Sequence, residues 1–440
     1  MLIPTQKQKA WVVAVDMGYG HMRAAFPLAD IFQSPLINAN HYLGITKRDE
    51  KFWAAQLAWY TRFSHLLDVP IIGIWLFQLF DRFQSIQPLR HTARDRRPNF
   101  QLRLVYRQLE RGWMRDLIGK LNEHPLPLVT TFPVPAFAAE LWNYGEEIYC
   151  LATDFEISRS WAPLDAKKTR IKYLAPTKEA QERLHRYGVP EKQIYLTGFP
   201  LPLNTLGGEN APNLGHDLAH RLTHLDPYKQ FIVEHEAHVE EVLARKMPER
   251  SNKRVSLTFA IGGTGVQQQQ VLEILRDLSR LVRIGILKIT LVAGSRREVA
   301  SAFESGVKEL RLGGRLGKNL EILYEVDKLA YLERFSKLMR ETDILWTKPS
   351  ELSFYAGLGI PIVMASPVGS QEVYNRKALL RSGAGVDQPD SEGFGEWLSE
   401  KIDKGDFARM AWHGFREIEK LGVYNVYHIV AGDTGKQAVQ

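Results

Sequence analysis

The sequence predicts an α/β protein made of two Rossmann-like, doubly wound halves facing a cleft, with a helical aromatic insertion in the first half. Two observations carry that expectation. Each half opens with an apolar run, a glycine-rich turn and a helix-patterned stretch: Trp11 to Val15 leads into Gly18-Tyr19-Gly20-His21, and Val255 to Ile261 into Gly262-Gly263-Thr264-Gly265. After each opening, short apolar runs alternate with stretches of helical periodicity, as parallel strands joined by crossover helices require. At 440 residues, with 45% hydrophobic and 24% charged side chains, the chain has material for two cores, and a disordered or collagen-like protein is excluded.

Taken in order, Met22 to Phe32 carries Ala24, Ala25, Leu28 and Phe32 at helical spacing and reads as the first crossover helix. Residues 45 to 125 interrupt the alternation. They look helical, and nine of the 32 residues from Phe52 to Phe83 are aromatic, against 10% for the whole chain. Strands resume at Leu126 to Thr131, Ile148 to Thr153, Ile171 to Ala175 and Ile194 to Thr197, with helices over Ala136 to Trp142 and Lys178 to Tyr187. Gly207-Gly208 and a polar, His-rich helical stretch up to Lys253 then mark a compositional break. The second series runs through a helix at Val271 to Ile284 and strands at Leu287 to Val292, Leu320 to Tyr324, Ile344 to Thr347 and Pro361 to Met364. An amphipathic helix over Phe394 to Leu421 closes it. The expected division is 1–203 (insertion 41–125), a connecting segment 204–253, a second domain 254–415 and a tail 416–440.

The formal charge of +7 and a pI near 9.2 favour a polyanionic partner, whether anionic lipid, nucleic acid or a phosphorylated small molecule. No recognised nucleic-acid module accompanies the charge, and none is expected as a partner. Cys150 is the lone cysteine, which excludes an intrachain disulfide and a four-thiolate zinc site and points to a reducing compartment. The longest apolar run, Val69 to Phe77, has nine residues and contains Pro70, too short to span a bilayer. The six apolar residues Ala10 to Val15 do not make a secretory signal.

Glycines after a strand let backbone approach a ligand, and the helix that follows presents N–H groups and a positive dipole end. Gly18 and Gly20 therefore read as ligand-approach positions, with His21 at the helix mouth as a base or donor. Gly263 and Thr264 repeat the device for an anion such as a pyrophosphate; no Lys-Ser/Thr follows, so this is not a nucleotide-hydrolysing P-loop. Thr347-Lys348-Pro349-Ser350-Glu351, Gly359-Ile360-Pro361 and Gly369-Ser370-Gln371-Glu372-Val373-Tyr374-Asn375 place carboxylates and amides at strand–helix junctions, a composition suited to sugar or ribose hydroxyls.

With Gly18-x-Gly20-His21-x-x-Ala24-Ala25 early and Gly369-x-Gln371-Glu372-x-x-Asn375 late, the chain resembles the GT-B glycosyltransferases. It is most similar to monogalactosyldiacylglycerol synthases and, at greater distance, to the N-acetylglucosaminyltransferase of peptidoglycan lipid precursors. Thr153-Asp154, Trp161, Thr197-Gly198-Phe199-Pro200, Ala293-Gly294-Ser295 and Asp343 to Lys348 fall in the family's order, so the resemblance covers about 11–40, 126–203 and 254–388. It implies an inverting transfer of a sugar from a nucleotide diphosphate, a UDP-sugar, to a lipid or other hydrophobic acceptor, with no cofactor beyond that co-substrate and no metal. It implies His21 and Asp154 as the base and its partner, with Gly263, Thr264 and Arg296 near the donor phosphates and Tyr324 near the base. Ser350, Glu351, Gln371, Glu372 and Asn375 fall near ribose or sugar. The family's usual glutamate before Gly-x-Pro is replaced by Phe354 on an ungapped count, with Glu351 three residues earlier, and which of them faces the ribose stays open.

Arg103, Arg107, Arg111 and Arg115 recur every fourth residue and form one helical stripe, with Leu102, Tyr106, Leu109, Trp113, Leu117 and Leu121 on another face. A basic amphipathic helix beside aromatics suits docking on an anionic membrane surface, and with the resemblance it gives a cytoplasmic protein peripheral at the inner face of the membrane. His216, His220 and His224 share a helical face, without the Glu of a His-Glu-x-x-His site. Two other readings remain: a nucleotide-sugar 2-epimerase of the same fold, and a non-catalytic nucleotide-sugar or nucleic-acid binding protein.

Overall fold

A computed structural model describes residues 8–55, 96–249, 254–262, 267–367 and 369–433. The chain divides into two compact units. The first comprises Met1–Leu201 with Gly369–Tyr374 and Leu421–Gln440; the second comprises Pro202–Val368 with Asn375–Lys420.

The first unit holds a parallel sheet of six strands: β1 (Trp11–Ala14), β2 (Leu36–Asn38), β3 (Leu128–Thr130), β4 (Ile148–Leu151), β5 (Lys172–Ala175) and β6 (Ile194–Leu196), in the order β2-β1-β3-β4-β5-β6. Val13 lies opposite Ile37 on one side and Thr130 on the other. β3 and β4 are buried along their whole length, the signature of strands covered on both faces. The second unit repeats the plan with β7 (Val255–Ala260), β8 (Leu287–Gly294), β9 (Leu320–Tyr324), β10 (Ile344–Thr347), β11 (Ile362–Met364) and β12 (Gly385–Asp387), ordered β12-β11-β10-β7-β8-β9. The helix Gln268–Ile284 lays Val271, Ile274, Leu275, Leu278 and Val282 into this core at i, i+3, i+4, i+7 and i+11, each worth about 1.5–3 kcal/mol of apolar burial.

The expected alternation is present with four differences. β2 and β12, three residues each, are too short to leave a pattern that a polar turn does not hide. Residues 204–253 are helical as expected, but their described part is no separate connector: Pro212–Leu225 and Ile232–Leu243 belong to the second unit. Buried Arg221 fastens the first of them, donating to the carbonyls of Thr342 and Leu358 at 2.8 Å and to Met339 at 3.3 Å. The tail is also structured. The expected helix over 394–421 breaks at Gly405 (φ +68°) into Phe394–Asp403 and Asp406–Glu417, and Gly422–Val430 packs in the first unit. There Asn425 Nδ2 donates to Thr197 O at 2.8 Å, and a Cβ on Gly422 would lie 2.4 Å from Phe199 O.

The arginine stripe is the fourth difference. The helix Phe100–Glu110 carries Arg103 and Arg107, but Arg111 is its C-cap, Gly112 takes φ +99° and Met114 φ +63°, and Arg115 opens a new helix, Arg115–Glu123. Two left-handed residues end the four-residue period, and Arg115 lies over the Trp142 ring at 4.9 Å. The apolar face is as expected: Leu102, Tyr106, Leu109, Trp113, Leu117 and Leu121 are all buried. The centre of the aromatic insertion, 56–95, lies outside the described residues.

Candidate active site

In the first unit the crossover direction reverses between β1 and β3, the position where doubly wound sheets bind ligands. The chain leaving β1 is fixed by Asn40, which accepts from the Asp16 N–H at 2.7 Å and donates to Asp16 O at 3.1 Å. Gly18 then adopts φ +119°, a backbone conformation that side-chain-bearing residues rarely take, and the helix Tyr19–Ile31 begins at once. Gly20 is in its first turn, and His21 follows. The His21 Nδ1 lies 2.8 Å from Thr131 O, just past β3. A carbonyl can only accept, so Nδ1 carries the proton and Nε2 is the basic nitrogen. Thr131 Oγ1 donates back to His21 O at 2.9 Å, and Thr153 Oγ1 reaches Nδ1 at 3.4 Å. Phe132 packs edge-on against the imidazole at 4.8 Å. Ring, tautomer and direction are all set by neighbours.

Asp154 follows Thr153 in a loop after β4 that is held by its carbonyls. Thr177 Oγ1 donates to Phe155 O at 2.6 Å, Tyr187 Oη to Ile157 O at 2.7 Å and Tyr173 Oη to Trp161 O at 2.9 Å. Arg159 donates to Ala162 O at 2.6 Å and Pro163 O at 3.0 Å. Glu156, two residues after Asp154, is committed to Arg183, whose Nε lies 2.9 Å away. Burial pushes the Tyr173 hydroxyl well above its usual range, which keeps it a donor.

In the second unit the reversal falls between β7 and β10. Gly263 and Thr264 lie outside the described residues. Their neighbour Gly262 has the Lys348 side chain across it: a Cβ there would stand 2.7 Å from Lys348 Cε. Ser350 precedes, and Glu351 opens, the 3₁₀ helix Glu351–Leu358, while Phe354 is only 1% exposed. The position expected on an ungapped count to hold the ribose-binding carboxylate is core, and Glu351 is the acid at the end of β10. Asn375, buried, donates to Pro349 O at 3.2 Å and so joins this loop. Arg296, after β8, pairs with Glu298 at 2.9 Å. Tyr324 ends β9 with the Arg297 guanidinium 5.6 Å from its ring centroid. Gln371 and Glu372, half-buried in the first turn of the helix Ser370–Arg381, group with the first unit, and Asn375 with the second. Tyr374 there receives the Arg183 guanidinium at 5.8 Å from its ring centroid.

Sequence reasoning gave no role to Thr131, a hydroxyl at a strand end that carries no periodic signal, and singled out Thr153 only for its place in the family's order. It also passed over Lys348, which stood inside a quoted motif without a role. Among the described residues no group of three or more His, Cys, Asp or Glu is placed to hold a metal ion. His216 and His220 stack at 4.6 Å, and His224 lies 3.2 Å from Asp343, which also accepts from the Ser256 N–H.

Two parallel sheets of six strands, with these motifs at their strand ends in this order, have the architecture of a GT-B glycosyltransferase. No protein-family model matches the chain. It is similar to the processive diacylglycerol β-glucosyltransferase of Staphylococcus epidermidis, 20% identical over 385 residues that cover 87% of this chain and 81% of that enzyme. It is also similar to the enzymes of the same name from Bacillus cereus, 26% identical over 62% of this chain and 58% of that one, and from Bacillus subtilis, 23% identical over 61% and 59%. Among solved structures, S. aureus MnaA with UDP aligns at a TM-score of 0.47 and 12% identity over 98% of this chain and 99% of that one. WaaG, a glycosyltransferase involved in lipopolysaccharide biosynthesis, aligns at 0.40 and 15% over 73% and 82%. The similarity to the diacylglycerol glucosyltransferases is weak but consistent.

Proposed function

We propose that the chain transfers a sugar from a UDP-sugar to the free hydroxyl of a diacylglycerol-type lipid, with inversion at the anomeric carbon. The observation that carries this reading is the fixed tautomer of His21 at the switch point of the first sheet: Nδ1–H faces Thr131 O, which makes Nε2 the basic nitrogen of the neutral ring. The names of the curated relatives supply the acceptor class. In the reaction the acceptor hydroxyl gives its proton to His21 Nε2 as its oxygen bonds to the anomeric carbon. The bond from that carbon to the diphosphate breaks, and its electron pair leaves on UDP. Asp154 is the acid that steadies the protonated imidazole. The donor falls to Gly263, Thr264 and Arg296 toward the phosphates, Tyr324 toward the base, and Ser350, Glu351, Gln371, Glu372 and Asn375 toward ribose and sugar. Gly18 and Gly20 let the acceptor approach the backbone.

The membrane-facing surface in this reading is the helix Phe100–Glu110. Phe100 is 63% and Leu104 39% exposed, and they interleave with exposed Arg103, Arg107 and Arg111 on one stripe. Apolar side chains between guanidinium groups suit the boundary between anionic headgroups and acyl chains. Arg115, over Trp142, is not part of it. No helix among the described residues is long and apolar enough to cross a membrane.

The test is a product assay: the full chain, a panel of UDP-sugars, and dioleoylglycerol in vesicles with and without phosphatidylglycerol. A glycosylated diacylglycerol with inverted anomeric configuration supports the reading. A 2-epimerised nucleotide sugar with no glycolipid would replace it with the epimerase.

A further inference from the structure

Resting on that donor reading, we infer that Lys348 is the cation that takes up the charge of the departing diphosphate, ahead of Arg296. Three observations converge on it. Lys348 is the residue after β10, whose last residue Thr347 pairs with Ala260 at the end of β7. It thus sits at the one place in the second sheet where crossover direction reverses. Its aliphatic stem runs across Gly262, where a Cβ would come within 2.7 Å of Cε and 3.2 Å of Cδ. That stretch of backbone is therefore bare so that a lysine can lie over it. The seventeen-residue helix Gln268–Ile284, which follows this turn in the chain, is N-capped by Gln267, which is 8% exposed and whose Oε1 has no hydrogen-bond partner among the described residues. A buried acceptor left open at the head of a long helix marks a place for a hydroxyl-bearing anionic ligand, since an unsatisfied buried polar atom costs about 1–3 kcal/mol.

Arg296 is placed differently. It lies past β8, away from the reversal, and its Nε donates to Glu298 at 2.9 Å. As the anomeric bond to the diphosphate breaks, the electron pair stays on the β-phosphate oxygen, and the Lys348 ammonium balances it without giving up its proton. A fixed positive group where charge develops lowers the barrier more than it tightens ground-state binding.

The experiment compares wild type, Lys348→Met, Lys348→Arg and Arg296→Met as full-length proteins, each checked by thermal unfolding. Titration calorimetry is run with UDP and with uridine, and kcat and KM are measured for the UDP-sugar that the product assay selects. Lys348→Met is expected to weaken UDP at least tenfold with uridine unchanged and to lower kcat about a hundredfold. Lys348→Arg recovers most of both, and Arg296→Met loses less than Lys348→Met. Wild-type UDP affinity in a folded Lys348→Met protein, or a loss in Arg296→Met as large, overturns the assignment and leaves the donor reading standing. A wild-type protein that binds neither UDP nor another nucleoside diphosphate overturns both.

Discussion

Gly262 and His21 show how single residues fix the local geometry at the switch point of each sheet. A methyl group on Gly262 cannot coexist with the Lys348 stem at 2.7 Å, so Gly262→Ala must push the lysine aside. The expected outcome is a raised KM for the UDP-sugar with little change in melting temperature, measured by initial rates and thermal unfolding; an unchanged KM would show that the lysine's place over this turn does not matter. Asp49 gives a pH-dependent case. Its carboxylate accepts from the Met114 N–H at 3.1 Å, but burial is the larger effect and holds its pKa above the ordinary value. The folded state then binds the proton more tightly than the unfolded state does. The carboxylate's destabilising contribution is fully present above the folded pKa and fades as pH falls through it. Asp49→Asn should therefore raise the melting temperature at pH 7 and have less effect at pH 4; equal effects at both would contradict the assignment. At this scale His21, Gly18 and Gly20 were legible because a glycine-flanked histidine after an apolar run is a local signal. Phe354 was not. Whether its position faces a ligand or the core depends on the 3₁₀ turn begun at Ser350, which no spacing rule supplies.

Elements were legible where their periodicity was long. The helix Lys178–Tyr187, with Thr177 as N-cap and Gly188 as C-cap, has the predicted bounds because both caps are written in the sequence. The four-residue arginine period was legible too but misleading. Charges can keep a period across a break, and the break lies in Gly112 and Met114. The docking reading is accordingly confined to one helix. Replacing Arg103 and Arg107 together by Glu should abolish flotation with phosphatidylglycerol vesicles at low salt; flotation equal to wild type would remove that helix from the interface. The helix Pro212–Leu225 was legible as helical sequence, but not its place in the second unit, where it buries Leu214, Leu218, Leu222 and Leu225 beside the Arg221 guanidinium. Arg221→Met should cost about 3 kcal/mol by leaving the carbonyls of Thr342 and Leu358 without their donor, read by denaturant unfolding. A cost under about 0.5 kcal/mol would mean the segment is only draped on its unit.

For the molecule as a whole, the two-sheet plan was written twice, in a strand, a glycine turn and a helix near residues 11 and 255, and the order of apolar runs gave most of the strands. The unit boundaries were not legible, because Leu421–Gln440 and Gly369–Tyr374 group with the first unit from far along the chain, through contacts such as Asn425 to Thr197. Within each sheet the reversal point brings these side chains to the strand ends: His21 against Thr131 in one, Lys348 across Gly262 in the other.

The most direct measurement is transfer by His21→Ala against wild type, with UDP affinity taken in parallel. A base held in one tautomer by Thr131 requires that turnover fall about 10²–10⁴-fold while UDP binds as before. Turnover within a few-fold of wild type would mean that the proton leaves by another route and that this histidine is a packing residue.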